Sequence, residues 1–307
     1  MAEAPLHFPA AERQRIEPHL PPPVLFPSQQ PDIPDSSPSS SSSPALPFVT
    51  LTFATSLDSA LALAPGIRTA LSGPRSKAMT HYLRSRHDAI CVGVGTAIAD
   101  DPGLNSRLAV GDGDDDDGDG DGDDESGRSR GGGTVTTRQP RPIIIDSRLR
   151  WDFTARSKVM RLAREGKGLA PYVVTLEKEP PSHKKRILED AGGKFVILNT
   201  EGGRSGDEDG ARRLDWRVIL SAVRREGLRS IMIEGGAEVI NSLLGENNAN
   251  LVDSVIVTIA PLWLGEGGVT VSPPRTAGAA DKPVARLSDA TWIPLGDDVV
   301  LCGKIAR

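Results

Sequence analysis

Two segments far apart in the chain hold the residues best suited to chemistry. One runs Ala89-Ile-Cys-Val-Gly-Val-Gly-Thr-Ala-Ile-Ala-Asp-Asp-Pro-Gly-Leu-Asn-Ser-Arg107, and the other Ser230-Ile-Met-Ile-Glu-Gly-Gly-Ala-Glu-Val-Ile-Asn-Ser-Leu-Leu244. Each reads as a buried strand that stops at glycines and turns into a helix. Helix-start N–H groups and the positive end of the helix dipole favour phosphate. Two such junctions in one domain suit a ligand with several phosphates, such as a dinucleotide.

Within these corners each residue has a plain reading beside a functional one. Gly93-Val-Gly95 is a fragment of a dinucleotide fingerprint, because Ile98 stands where the third glycine belongs. Thr96 and Asp100 lie four residues apart, on one side of a helical turn, although Thr96 also suits an N-cap. Glu234 ends an apolar strand where ligands collect in open α/β sheets; structural ion pairing is its main rival. Asp58, in Ser56-Leu-Asp58, is a turn cap or a site carboxylate. Arg84 and Arg107 are the basic candidates for a phosphate or a polar ring, against the surface role arginine usually plays.

The elements that must position these residues alternate along the chain. Strand-like runs at 48–54, 89–94, 142–145, 172–175, 194–198, 230–233, 252–259 and 299–303 are separated by helical patterns at 75–86, 156–165, 183–191, 214–226 and 237–244. The pattern predicts a three-layer α/β domain with a mostly parallel sheet covered on both faces. The last two runs have no helix between them, which predicts an antiparallel C-terminal edge. Residues 1–47 are dense in Pro and Ser and are expected to be a disordered tail, with one folded domain at 48–307. An Asp/Gly-rich insertion at 111–133 is expected to be a solvated loop.

Composition excludes several classes. The formal charge is −5, but the Asp and Glu residues between 112 and 125 carry ten negative charges, so the remainder is +5. No basic cluster is interleaved with aromatics, which argues against nucleic acid. An EF-hand beginning at Asp114 would put Gly118 at its fifth place and Asp119 at its sixth, where glycine is required. Neither the five histidines nor Cys91 and Cys302 show zinc spacing, so no metal is expected. The two cysteines lie in apolar runs and read as buried, reduced thiols. No segment has the length and hydropathy of a membrane span or signal peptide, so the cytoplasm is the expected compartment.

The series Thr-Leu-Thr-Phe-Ala-Thr-Ser-Leu-Asp (50–58), His81-Tyr-Leu-Arg-Ser85, Gly-Val-Gly-Thr-Ala-Ile-Ala-Asp-Asp-Pro-Gly-Leu-Asn (93–105), Arg141-Pro-Ile-Ile-Ile-Asp-Ser147, Ile-Glu-Gly-Gly-Ala (233–237) and Val252-Asp-Ser-Val-Ile-Val-Thr-Ile-Ala-Pro261 resembles the riboflavin-biosynthesis reductase family, in its stand-alone fungal form. The resemblance covers residues 48 to 307 apart from the acidic insertion. It implies a dihydrofolate-reductase-like fold, a homodimer, and NADPH as cofactor. The implied reaction reduces the ribosyl side chain of 2,5-diamino-6-ribosylamino-4(3H)-pyrimidinone 5′-phosphate, a small-molecule ribotide, to the ribitylamino product. By position, the resemblance implies NADPH contacts at Thr96, Asp100, Ser147, Gly235, Gly236 and Ala237. It implies substrate contacts at Asp58, Arg84, Leu104, Arg107 and Glu234, with Glu234 and Asp58 the carboxylates expected to take part in catalysis. Two departures stand out: Ser59-Ala60 replaces the Gly-Lys or Gly-Arg of many relatives, and Thr52 replaces a strand lysine of the deaminase-fused bacterial forms. The zinc-deaminase signature is absent, so reduction alone is expected.

Overall fold

The structure, a computed structural model, describes residues 6–22, 46–108, 138–199, 214–275 and 282–306. Its centre is a nine-stranded sheet built from β1 (Phe48–Thr55), β3 (Ala89–Gly93), β4 (Arg141–Ile145), β5 (Tyr172–Thr175), β6 (Lys194–Ile197), β7 (Ser230–Ile233), β8 (Ser254–Ile259), β10 (Leu287–Leu295) and β11 (Asp298–Ile305). The spatial order is β10-β11-β8-β1-β7-β3-β4-β5-β6. Neighbours from β8 to β6 pair in parallel, whereas β11 pairs antiparallel to β8, and β10 antiparallel to β11. The parallel centre and antiparallel edge match the alternating pattern of the sequence.

The apolar runs are continuous because both faces of the sheet are covered. Val49, Leu51, Cys91, Ile143, Ile231, Ile233, Val255 and Val257 point to one face, where α6 (Trp216–Arg225) and α7 (Ala237–Leu244) pack. Residues one step out of phase face the other side. There Met232 and Ile256 meet α2 (Pro74–Arg86), and Ile90, Val92, Ile144 and Val173 meet α4 (Lys158–Arg164) and α5 (Ser182–Asp190). The period-two alternation of a strand thus fills two cores from one sequence run. Cys91 and Cys302 are buried free thiols on these faces, and burial pushes the Cys302 thiol up to about 12.

Two buried polar groups lock the strands that carry the glycine corners. The Asp88 carboxylate accepts the N–H groups of Arg229 (2.6 Å) and Ser230 (3.1 Å), and Ser230 Oγ accepts the Asp88 N–H at 2.9 Å. This fixes the starts of β3 and β7 against each other. His87, at the end of α2, bonds Leu83 O through Nδ1 (2.7 Å) and Thr50 Oγ1 of β1 through Nε2 (2.8 Å). At its other end α2 is held by Asp298, which accepts from Gly73 N and Ser76 Oγ.

The N-terminal expectation needs correction in part. Residues 6–22 are not a coreless tail: α1 (Ala10–Ile16) and its flanks bury Phe8, Ile16 and Leu20 against α2 and β11. A few apolar residues spaced to meet one helix face suffice to order a short Pro-bounded segment. Residues 23–45 and the acidic insertion lie outside the described residues. Also unforeseen were β2 (Ala60–Ala62), which pairs with β9 (Val269–Thr270), and β10, a bulged run whose buried residues, Ile293 and Leu295, fall only near its end. Among the described residues, no helix is long and apolar enough to cross a membrane.

Burial holds the His87 pKa down at about 4, and burial followed by the Arg84 charge holds His81 at about 3. Both are neutral in the folded chain over a range where unfolded imidazoles take up protons. Their contribution is therefore complete above the unfolded value of 6.5 and is lost as pH falls from 6.5 toward 4. Stability to urea should fall across that window by about 1 kcal/mol per pH unit for each histidine. A denaturation midpoint unchanged between pH 7 and pH 4.5 would contradict this.

Candidate active site

Because β1, β3, β4, β7 and β8 run parallel, their carboxyl ends share one edge of the sheet. Asp58, Thr96, Ser147 and Glu234 all follow from that edge. The two glycine corners are direct neighbours: Cys91 pairs with Ile233, and the Glu234 N–H donates to Cys91 O at 2.9 Å. One side chain accounts for two of the glycines. A Cβ on Gly93 would lie 3.1 Å from a Val239 methyl, and one on Gly235 would lie 3.2 Å from Val239 Cβ. These glycines let α7 approach the sheet closely. Gly236, the N-cap of α7, is exposed and faces the first corner: its added Cβ would stand 3.7 Å from Thr96 Oγ1. Ala237 begins the helix behind it.

Beside the corners, Glu234 is bound by Arg84 from α2 through both oxygens. Nε reaches Oε1 at 3.2 Å and Nη2 reaches Oε2 at 2.9 Å, with side chains 15% (Arg84) and 21% (Glu234) exposed. The third arm of the fork, Nη1, donates to Asn105 O at 3.2 Å. The pairing that sequence reading set against a functional Glu234 is therefore present, and it lies inside the site. Both Glu234 oxygens act as acceptors in it.

Asn105 opens a short extended segment whose backbone is engaged on all sides. Gln139 closes a two-way amide clamp on Ser106 (2.9 and 3.0 Å), His81 Nδ1 accepts the Arg107 N–H at 3.0 Å, and the Leu6 N–H donates to Arg107 O at 3.1 Å. The Arg107 guanidinium rests against His81 Nε2 at 3.2 Å. Leu104, just before this segment, departs from expectation: its side chain is buried in the core with Ile90 and Ile144, so only its backbone can line a ligand. Its φ of 53° is left-handed, as is Asp101 at 40°, and such backbone strain concentrates at functional loops. Asp101 itself accepts the Lys158 N–H and so starts α4.

Asp58 is occupied by its own loop. Its oxygens accept from Ser56 Oγ, Leu264 N (3.1 Å) and Gly265 N (2.8 Å), tying the turn after β1 to the loop after β8. The Ser56 hydroxyl first, then the two amides, lower its pKa to about 2. Its carboxylate is thereby engaged as an acceptor by its own loop. Next to it, Ser59 adopts φ 60°, a backbone position suited to glycine. Ser147 lies at the β4 end with its carbonyl bonded by Leu176 N, and Asp100 closes α3 (Val94–Asp100). Sequence reading missed His81, Asn105, Gln139 and Leu6. The signal available was His81 and Arg84, three residues apart on one helix and so on one face.

The fold and this edge define an α/β reductase-type domain. The family described as "RibD C-terminal domain" matches residues 47–301, and the chain belongs to it. It is 38% identical over 260 residues to the 2,5-diamino-6-ribosylamino-4(3H)-pyrimidinone 5′-phosphate reductase of Debaryomyces hansenii, covering 84% of this chain and 90% of that one. It is 36% identical to the Saccharomyces cerevisiae protein of the same name, over 85% of this chain and 88% of that one. The solved structure of the S. cerevisiae riboflavin biosynthesis reductase Rib7 superposes with a TM-score of 0.62 at 31% identity, covering 96% of this chain and 99% of that one. Acinetobacter baumannii RibD shares the fold, with a TM-score of 0.59 at 21% identity over 85% of this chain and 59% of that one.

Because Arg84 and Glu234 are mutually satisfied and mostly shielded from water, their effects on stability should not add. A double-mutant cycle of Arg84→Ala and Glu234→Gln is expected to show a coupling of about 1–3 kcal/mol in urea unfolding. Additive losses would mean that the pair contributes nothing beyond its separate parts.

Proposed function

We propose that the chain is an NADPH-dependent oxidoreductase of riboflavin biosynthesis, reducing 2,5-diamino-6-ribosylamino-4(3H)-pyrimidinone 5′-phosphate at its ribosyl side chain to the ribitylamino product. The observation that carries this reading is the Gly236 corner open toward Thr96 beside the Arg84–Glu234 pair, at one sheet edge. The names of the fungal relatives support the substrate and the pathway.

The residues present fit a dinucleotide. Gly236 is exposed without a side chain at the start of an eight-residue helix, where N–H groups lack intrahelical partners. Thr96, Asp100 and Ser147 would flank it, with Gly235 and Ala237 completing the turn. NADPH, when bound, supplies the hydride. The substrate's ring-opened form presents a carbon–nitrogen double bond at C1′, which takes a hydride at carbon and a proton at nitrogen. Arg107, resting on an imidazole that burial keeps neutral, is assigned to the substrate phosphate. Glu234, oriented by Arg84, is assigned to the polar groups of the pyrimidine–ribose unit, and Asp58 acts by fixing the loop at 264–265. The proton that the nitrogen takes up is delivered by a group of the cleft or by solvent. The reading also takes the enzyme to be a cytoplasmic homodimer.

Purified protein should oxidise NADPH anaerobically with the freshly made ribotide, and Glu234→Gln should lower kcat at least about tenfold without unfolding the chain. No oxidation, or a Glu234→Gln enzyme of unchanged turnover, would remove this assignment. Gly236→Ala gives a second test. Its Cβ meets only Thr96 at ordinary contact distance and its φ is −72°, so the melting temperature should not move. The KM for NADPH should nevertheless rise about tenfold, because the methyl occupies ligand space. An unaltered KM would place the cofactor elsewhere.

A further inference from the structure

The described N-terminal residues are held to the body through α2, the C-terminal strands β10 and β11, and Arg107. Phe8 packs on Tyr82 with ring centres 5.4 Å apart, and the Arg13 guanidinium covers the same ring at 5.6 Å while its Nε donates to Phe8 O. Glu17 accepts from both Tyr82 Oη and Arg86, and Arg75 pairs with Glu12 at 3.0 Å. Phe8 and Ile16 are fully buried. The arm therefore grips the outer side of the helix that presents His81 and Arg84. It then extends past Phe8 so that Leu6 bridges in parallel to Leu108, with its N–H on Arg107 O.

That last contact completes the clamp on the Arg107 segment. Asn105 O is taken by Arg84, both polar groups of Ser106 by Gln139, Arg107 N by His81, and Arg107 O by Leu6. Four of these five bonds come from side chains of the body; only the fifth comes from the N-terminal arm. A peptide carbonyl bonded on its outer side cannot rotate without losing that bond, so the Leu6 contact holds the chain on the far side of the Arg107 Cα while His81 holds its N–H.

We propose that residues 6–20 are a positioning arm for substrate binding: the Leu6 N–H fixes the Arg107 peptide, and thereby the guanidinium that receives the substrate phosphate. This rests on the assignment of Arg107 to the ribotide phosphate made above. Leu6 touches neither reacting atoms nor ligand; it acts through Arg107. The consequence is that affinity for the phosphorylated substrate, and not for NADPH, depends on an N-terminal segment.

The test compares two full-length variants. Leu6→Pro removes the N–H donor, whereas Leu6→Ala trims the side chain and keeps the donor. Leu6→Pro should raise the KM for the ribotide about five- to tenfold, the value of one hydrogen bond, with kcat and the NADPH KM within about twofold of wild type. Leu6→Ala should leave all three near wild type. An unmoved ribotide KM in Leu6→Pro, or an equal rise for both substrates, overturns the proposal. A measurement on the unaltered chain guards against a variant that fails to fold. By linkage, ribotide binding should slow amide hydrogen exchange in residues 6–20, whereas NADPH alone should not; exchange unaffected by ribotide overturns the proposal. Wild-type turnover separates the two readings: its absence sinks the function itself, while turnover with an unmoved Leu6→Pro KM sinks only the arm's role.

Discussion

The bidentate contact between Arg84 and Glu234 is the interaction on which the site depends, because it ties a strand end, a helix and a loop segment together. Glu234 leaves the end of β7, Arg84 belongs to α2, and the spare Arg84 nitrogen reaches the Asn105 segment. A planar guanidinium has donors in a fixed fork, so one side chain sets the angle between three separate pieces of chain. A lysine would supply charge without that geometry. The pair is mostly shielded from water, where removing one partner costs far more than the pair itself contributes to stability. Its value lies in placement.

Around this pair the backbone is arranged by steric exclusion as much as by attraction. Val239 fills the space that side chains at Gly93 and Gly235 would need, which brings α7 down onto two adjacent strand ends. The start of α7 then faces Thr96 across a gap that no protein side chain enters from Gly236. Left-handed backbone at Ser59, Asp101 and Leu104 borders the same edge, each at a non-glycine residue. Such conformations persist only where the surroundings hold them, here through the Asp58 loop bonds, the start of α4 and the burial of the Leu104 side chain.

The fold was legible wherever sequence period and burial agree. Continuous apolar runs such as 89–92 and 230–233 could only be strands covered on both faces, and the two glycine corners fell together because β3 and β7 are neighbours. What stayed hidden was structure held by few or polar contacts. The N-terminal arm is anchored by Phe8, Ile16 and Leu20 inside a Pro-rich context that reads as uncollapsed chain, and β10 buries only alternate residues near its end. At the site, Glu234 and Arg84 were named separately because a contact across 150 residues leaves no local trace. The burial of the Leu104 side chain could not be read in advance, since a buried leucine and a ligand contact look identical in sequence. The clamp of His81, Gln139 and Leu6 on the backbone of residues 106–107 was out of reach for the same reason: backbone acceptors have no residue type.

The charges of the site resolve once each group's partner is known. Glu234 and Arg84 cancel, Asp58 is consumed by a hydroxyl and two amides, and burial keeps His81 neutral although it lies between two arginines. The Arg107 guanidinium lies 3.2 Å from the Nε2 of that uncharged imidazole. A protonated His81 would repel both neighbouring guanidinium groups; the same desolvation that keeps it neutral allows two arginines to share one small region.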